Sequence, residues 1–97
     1  MIDFSYKNVD IAYNLISKKV IKTPLVSNDY INNLLKAEVF FKCENFQTTG
    51  SFKLRGATNK ILKKESKDIQ NGVVAYSSGN HAQAVAYAAL QNDLTAK

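Results

Sequence analysis

The stretch from Val73 to Leu90, VVAYSSGNHAQAVAYAAL, decides the fold. Its first four residues form a short, almost wholly apolar run, which is typical of a buried parallel strand. The next four, SSGN, predict a tight turn, and HAQAVAYAAL predicts a helix rich in small residues. The helix residues predicted to face a sheet are Ala82, Val85, Ala86 and Ala89. A strand, a polar turn and a helix in this order favour an α/β fold with parallel crossovers.

The same order of elements occurs once more upstream. Residues 38–44, EVFFKCE, combine aromatic and branched side chains and predict a strand, which a polar loop follows. Ser51 is a suitable N-cap for a helix over residues 52–64. The residues of this helix predicted to face inward are Leu54, Ala57, Ile61 and Leu62. Gly56 costs the helix about 1 kcal/mol relative to alanine, which predicts close packing against a bulky neighbour.

The rest of the chain supplies two further helices and two connecting segments. Residues 9–20 have apolar positions at helical spacing, and Pro24 breaks that pattern. A short helix is predicted over residues 29–36, capped by Asp29 or Asn28. Two strands do not make a stable doubly wound sheet, and the alternation predicts another strand at residues 92–97, NDLTAK. The chain is therefore expected to be the opening piece of a larger protein.

Composition excludes several classes of protein. The 97 residues carry a net charge of +5, but the lysines are spread along the chain and only one arginine is present. This distribution argues against nucleic-acid binding. No stretch approaches the about 20 apolar residues that span a bilayer, and residues 1–10 lack a secretory signal. The single cysteine, Cys43, is predicted to be a buried strand residue, and it fits a reducing, cytoplasmic location.

Both polar loops precede the amino terminus of a helix. Such a site offers free backbone amides and a partial positive charge, which together favour anions. In open α/β sheets the ligand crevice lies outside the carboxyl ends of the strands, where both loops are expected. The glycine-rich dinucleotide and P-loop fingerprints are absent, because SSGN has one glycine and TTGSFK lacks the required spacing.

Lys53 is the strongest candidate for a chemically reactive side chain. At a helix start, the dipole and a partly buried position favour the neutral amine, which is the nucleophile for Schiff-base chemistry. The alternative is one more surface lysine. His81 is the only histidine, so no histidine cluster exists for a metal, and a structural or substrate-contacting role is expected. Ser77 and Ser78 are predicted to be turn residues or caps.

Three segments carry a family resemblance: KTPL, VFFKCENFQTTGSFKLRGA and SSGNHAQAVAYAA. They are spread over residues 22–89, which is most of the chain, and K-x-E-x-x-Q-x-T-G-S-F-K-x-R-G-A is highly specific. The sequence resembles the threonine dehydratase and serine racemase family. These are pyridoxal-phosphate enzymes of fold type II, the tryptophan-synthase-β type, with two parallel-sheet domains. The resemblance implies that residues 1–66 begin the larger domain and residues 67–97 begin the smaller one.

The resemblance also implies roles for individual residues. Lys53 would form a Schiff base with the cofactor aldehyde, Phe52 would pack against its pyridine ring, and Gly50 would let the backbone come close. Asn80 would hydrogen-bond the phenolic oxygen of the cofactor. The segment implied to hold the substrate carboxylate comprises Ser77, Ser78, Gly79, Asn80 and His81.

The activity implied is that of an ammonia-lyase on L-threonine, L-serine or both. Lys53 would remove the α-proton, and loss of the β-hydroxyl would lead to a 2-oxo acid and ammonia. In the family's racemases, the serine that Ser78 matches stands on the opposite face of the cofactor and returns a proton. Serine racemization therefore stays an alternative, although dehydratases with serine at this position also occur.

The resemblance places several parts of the site beyond these 97 residues. They are the glycine-rich loop for the cofactor phosphate, the group that contacts the pyridine nitrogen and the divalent-metal carboxylates. We therefore expect the isolated chain to be inactive or poorly folded, and a non-catalytic truncated remnant is a further alternative. In the full-length form, the resemblance implies a homo-oligomer that acts on a small amino-acid substrate.

Overall fold

The computed structural model describes residues 4–97. The predicted absence of a secretory signal rests partly on residues 1–3, which lie outside this range. The helices are α1 (Tyr6–Ile16), α2 (Asp29–Leu35), α3 (Lys53–Leu62), α4 (Ser66–Ile69) and α5 (Asn80–Leu90), with a 3₁₀ helix at Glu44–Phe46. The strands are β1 (Leu25–Val26) and β2 (Phe41–Lys42). The α/β class is confirmed, with more helix and less strand than the sequence predicts.

Helix α1 begins three residues before its predicted start and ends four residues early. Ser5 sets the start, because its side chain accepts a hydrogen bond from the backbone N–H of Asn8 at 3.4 Å. The helix ends at Ile16, and the N–H of Lys19 donates to the Ile16 carbonyl in a following turn. Ile16 is the buried residue of α1.

Helix α2 confirms one of the two predicted caps. Asn28 accepts a hydrogen bond from the N–H of Ile31 at 3.1 Å, and Asp29 becomes the first helical residue. The helix stops where Lys36 adopts a left-handed conformation, with φ of 50°. A left-handed residue is a common helix terminator, because it turns the chain away from the helix axis.

The strand predicted over residues 38–44 is wrong in length and direction. Only Phe41 and Lys42 form a strand, β2, and this strand pairs antiparallel with β1. The backbone of Val39 bonds to side chains instead: its N–H donates to Asn32 Oδ1 at 2.9 Å, and its carbonyl accepts from Ser27 Oγ at 2.8 Å. The prediction that Cys43 is a buried strand residue is wrong, because it is half-buried and follows the strand. A two-residue strand with both side chains exposed cannot be the buried strand of a parallel sheet.

Helix α3 lies at the centre of the fold and packs against both α1 and α5. The buried residues shared by α3 and α5 are Leu54, Ala57, Ile61, Ala84, Ala88 and Ala89. The predicted inward face of α3 is therefore confirmed, except that Leu62 is only half-buried. The predicted face of α5 is right in part: Ala89 is buried and Val85 packs against the core, whereas Ala82 is only half-buried and Ala86 is exposed. The burial of Ala84 and Ala88 was not predicted, and it follows from packing on α3.

Two predictions about individual residues of α3 are also wrong. Ser51 does not cap the helix, because Phe52 occupies the position before the first helical residue. Gly56 has no bulky neighbour, since a Cβ built there meets nothing within 4 Å among the described residues.

Residues 73–75 pair in parallel with residues 95–97, close to where the sequence predicts a further strand. The N–H of Val73 donates to the Thr95 carbonyl at 2.8 Å, and the N–H of Ala75 donates to the Lys97 carbonyl at 2.9 Å. The pairing is parallel as predicted, but it amounts to an isolated bridge between Val73 and Ala96 and not to a strand, and the prediction of burial is wrong. Tyr76 is fully exposed and Val74 is 83% exposed, because no further layer covers them in residues 4–97.

The described chain is elongated for its size. It measures 53 × 30 × 25 Å, and its radius of gyration is 16.3 Å, whereas a compact domain of this length has about 13 Å. Seven hydrophobic residues form its buried core. The prediction that this α/β piece is incomplete on its own is confirmed. Helix α4 (Ser66–Ile69) spans the predicted division between residues 1–66 and residues 67–97, and that division stays a prediction.

No helix among residues 4–97 combines the length and the hydropathy needed to cross a membrane.

Candidate functional site

A tight loop delivers the chain into helix α3. Gly50 has a φ of +75°, a conformation that side chains rarely adopt, and its N–H donates to the Gln47 carbonyl at 2.8 Å. This turn explains why a glycine stands at position 50, since residues with a Cβ pay a steric penalty there. The loop ends at Phe52, and Lys53 is the first helical residue.

Lys53 lies on the open side of this helix start. Its side chain is exposed, so the predicted partial burial is wrong, and the adjacent Leu54 is the residue that enters the core. Lys53 Nζ lies 5.2 Å from the centre of the Phe52 ring, a distance typical of a cation–π contact. Within the described range, the two ion pairs are Arg55–Glu44 and Lys67–Glu65, so no carboxylate neutralises Lys53.

A buried polar network lies beside the helix start. Glu44 Oε1 accepts hydrogen bonds from Arg55 Nη2 at 2.7 Å, Arg55 Nε at 3.0 Å and Thr23 Oγ1 at 2.8 Å. The hydrogen bonds from Arg55 hold the pKa of Glu44 at about 2, and bonds from Thr23 and Gln47 act in the same direction. Partial burial of the carboxylate opposes this shift. Glu44 is therefore a fixed anion at any physiological pH.

Gln47 and Arg55 connect this network to the segment before Pro24. Gln47 is 3% exposed, accepts from the N–H of Ile21 at 2.8 Å and donates to the Ile21 carbonyl at 3.0 Å. Arg55 Nη2 donates to the same carbonyl at 3.0 Å. Our sequence reasoning assigned no role to Glu44, Gln47 or Arg55. The available signal was their spacing within the motif K-x-E-x-x-Q-x-T-G-S-F-K-x-R.

Two hydroxyls in the loop are buried without a hydrogen-bond partner in the described part of the chain. They belong to Thr49 and Ser51, and Ser51 is 8% exposed. A buried hydroxyl without a partner is destabilising by about 1–3 kcal/mol. Polar atoms of this kind next to an exposed amine fit a ligand that supplies hydrogen-bonding groups.

The second loop leads into α5 with its own internal turn. Ser77 Oγ accepts a hydrogen bond from the N–H of Gly79 at 3.2 Å, which confirms Ser77 as a turn residue. Ser78 is exposed, and Asn80 and His81 are exposed at the first two positions of α5. The N-cap position is Gly79, which has no side chain that could cap the first backbone amides of α5. These amides therefore fit an anionic acceptor, as the sequence predicts.

The two loops lead into the helices α3 and α5, which pack against each other. His81 lines a cleft of about 370 Å³ together with Gly56 and Lys60 of α3. Lys53 and Phe52 do not line this cleft. Within residues 4–97, no hydrogen bond or ion pair joins them to residues 77–81. The structure thus brings the second loop to the middle of α3 and leaves Lys53 at the start of that helix.

Comparison with known proteins identifies relatives of one chemical type. Residues 16–96 match the family described as pyridoxal-phosphate dependent enzyme. A serine racemase from Dictyostelium discoideum is 47% identical over 91% of this chain and 27% of its own length. A beta-hydroxyaspartate dehydratase from Paracoccus denitrificans is 43% identical over 89% of this chain and 27% of its own length.

Comparison with a solved structure supports the same family at the level of the fold. A threonine deaminase from T.th. superimposes with a TM-score of 0.84 and 39% sequence identity. The match covers 97% of this chain and 33% of that protein. The predicted family and its fold are confirmed by these matches. The chain spans about a quarter of the length of the curated relatives that it matches.

Proposed function

Since the chain belongs to the pyridoxal-phosphate dependent enzyme family, we propose that it contributes the lysine-bearing segment of an ammonia-lyase. The substrates are L-threonine, L-serine or both, and the products are a 2-oxo acid and ammonia. The observation that carries this proposal is the placement of Lys53. Its amine is exposed on the first turn of α3, without a carboxylate partner in residues 4–97, beside a buried network that holds the helix.

The residues around Lys53 fit the cofactor. An exposed amine reaches an aldehyde, the exposed ring of Phe52 offers a flat apolar face, and the buried hydroxyls of Thr49 and Ser51 lack partners. When bound, the cofactor supplies an electron sink for the bond broken at the substrate α-carbon. The protein contributes the attachment point and moves the proton, and we assign both tasks to Lys53.

The second loop fits the binding of a substrate carboxylate. The uncapped amides at the start of α5 provide donors and a partial positive charge. We assign this task to Ser77, Ser78, Gly79, Asn80 and His81, and we assign to Asn80 the contact with the phenolic oxygen of the cofactor. Because Ser77 Oγ already accepts from the Gly79 N–H, its hydroxyl shapes the turn, and its backbone amide is the donor.

Serine racemization is a second candidate function, and an exposed hydroxyl favours it. Ser78 presents its side chain to solvent at the turn before α5, where it can return a proton. A relative named serine racemase is 47% identical to this chain. A relative named beta-hydroxyaspartate dehydratase adds 3-hydroxyaspartate to the candidate substrates. All three substrates share a hydroxyl on the carbon next to the α-carbon.

The remaining alternative is a truncated remnant without catalysis. Its support is the short length relative to the curated relatives and the small buried core. We propose that a complete enzyme of this kind is a homo-oligomer in the cytoplasm. A match to enzymes that act on amino acids agrees with a small-molecule substrate.

Reductive trapping of the cofactor tests the proposed function. The purified chain is incubated with pyridoxal phosphate, reduced with borohydride and digested, and peptide mass spectrometry locates the label. We expect label concentrated on Lys53 and lost in Lys53→Ala. Lys60→Ala is the matched control, because Lys60 is an exposed lysine of the same helix. Label scattered over the surface lysines, unchanged in Lys53→Ala, would contradict the proposal and favour the remnant.

A further inference from the structure

We propose that Glu44, Gln47 and Arg55 are positioning residues that aim the Lys53 side chain at its reaction partner. This inference rests on the proposed function, since it concerns the use of Lys53. Within residues 4–97 no hydrogen bond or ion pair joins the three residues to the lysine amine, so they would act through the backbone that carries it.

The loop before Lys53, residues 48–52, is flanked by two residues that both bond to the backbone of Ile21. Gln47 precedes the loop and bonds to both the N–H and the carbonyl of Ile21. Arg55 follows the loop and donates to the same carbonyl at 3.0 Å. Glu44 then joins the two, since it accepts from Arg55 at 2.7 Å and from Gln47 Nε2 at 3.3 Å. The backbone from residue 48 to residue 52 therefore spans two fixed points.

The same contacts fix the rotation of α3 about its axis. Successive residues of an α-helix are about 100° apart, so Arg55 lies about 200° from Lys53, on nearly the opposite side. Leu54, between them, is completely buried against α5. Leu54 fixes one side of α3 in the core, and the bond from Arg55 to Glu44 fixes another. The remaining side carries Lys53, whose side chain is exposed to solvent. A rotation of α3 would move the amine away from this direction.

Burial makes the hydrogen-bonded network of Glu44, Gln47 and Arg55, which we call the anchor, stronger than a contact on the surface. Thr23 and Gln47 are each 3% exposed, and the side chains of Glu44 and Arg55 are 15% and 24% exposed. In contrast, the side chains of Glu65 and Lys67 form an ion pair at 2.8 Å while 71% and 74% exposed. Exposed pairs of this kind contribute little, because solvent screens them. Glu65 therefore provides a matched control for Glu44.

The first experiment measures how selectively Lys53 is labelled. The amine adds to the aldehyde of pyridoxal phosphate with loss of water. Borohydride then delivers hydride to the C=N carbon, and solvent protonates the nitrogen. We expect the share of label on Lys53 to fall at least fivefold in Glu44→Gln, which keeps the shape of the side chain but removes its charge. Glu65→Gln should label like the unmodified chain.

A conservative variant separates aiming from simple loss of structure. Arg55→Lys keeps the charge and one donor, so we expect it to recover part of the Lys53 label that Arg55→Gln loses, at equal helix content by circular dichroism. A Lys53 share that is equal in the unmodified chain, Glu44→Gln and Arg55→Gln would overturn the inference.

A second experiment needs no cofactor. Amide hydrogen exchange reports the N–H groups of Ile21 and Gly50, which bond to Gln47 Oε1 and the Gln47 carbonyl. We expect exchange at both to accelerate at least tenfold in Glu44→Gln and to stay unchanged in Glu65→Gln. Exchange that is unaffected by Glu44→Gln would overturn the inference. The two experiments can also give different answers. If the label is scattered in the unmodified chain but hydrogen exchange changes as expected, the proposed function is contradicted and the role of the anchor in fixing the loop is supported.

Discussion

Replacing Arg55 with glutamine should raise the pKa of Glu44 from about 2 toward its ordinary value of 4.5. The hydrogen bonds from Arg55 are the largest cause of the low pKa, and burial of the carboxylate opposes them. The bonds from Thr23 and Gln47 remain in this variant and keep part of the effect. We therefore expect the pKa to rise by at least about 1, which corresponds to about 1.4 kcal/mol.

The full effect sets an upper limit on what the pair contributes to stability. A carboxyl pKa of about 2 instead of 4.5 corresponds to about 3 kcal/mol, and residual solvent screening lowers this to about 2 kcal/mol. Because the folded-state pKa is depressed, this stabilisation is fully present above about pH 4.5. It is lost as the pH falls from about 4.5 to about 2.

Carbon-13 NMR of the Glu44 carboxyl measures the pKa directly. The titration is recorded for the unmodified chain, for Arg55→Gln and for Lys67→Gln, which removes a cation from the exposed pair. A low midpoint that rises in Arg55→Gln and stays low in Lys67→Gln is expected. An ordinary midpoint in the unmodified chain, or one that does not respond to Arg55→Gln, would refute the account of the network.

Three further substitutions probe the backbone. Gly72→Ala should destabilise the chain by more than about 1 kcal/mol in urea unfolding, because Gly72 has a φ of +89° and its Cβ would collide with the Thr95 carbonyl. Gly56→Ala is its matched control and should stabilise by about 0.5–1 kcal/mol, since its Cβ meets open space in a helix; destabilisation there would contradict this reasoning. Ser77→Ala should accelerate amide exchange at Gly79, because the bond to Ser77 Oγ is lost. An unchanged rate would show that the turn does not depend on the hydroxyl.

The sequence predicts helix α3 well because its signal is local. Leu54, Ala57 and Ile61 recur at helical spacing, and all three are buried. The helical spacing also places α5 correctly, but it identifies only part of the buried face, because a sheet was assumed beneath the helix. Val85 and Ala89 contact the core as predicted, whereas Ala86 is exposed. Small residues all around α5 give the pattern little directional information, so the packing partner decides which alanines are buried.

The polar network could not be derived from local pattern. Glu44 and Arg55 are eleven residues apart, and both Gln47 and Arg55 bind the backbone of Ile21, a partner that no side-chain pattern identifies. The strand over residues 38–44 fails for a related reason, because side chains of other segments take up the backbone bonds of Val39. The roles assigned to Phe52, Ser78 and Asn80 stay predictions.

Residues 73–75 pair in parallel with residues 95–97 along one edge, and within residues 4–97 no backbone pairs with the other edge of this extended segment. Val74 and Tyr76 stand exposed along it, and no charged residue occurs from Gly72 to Asn80. An apolar edge without charges is a template for pairing with another chain, and proteins commonly block such edges with lysine or proline. We therefore expect copies of this chain to associate at high concentration by pairing through residues 73–76.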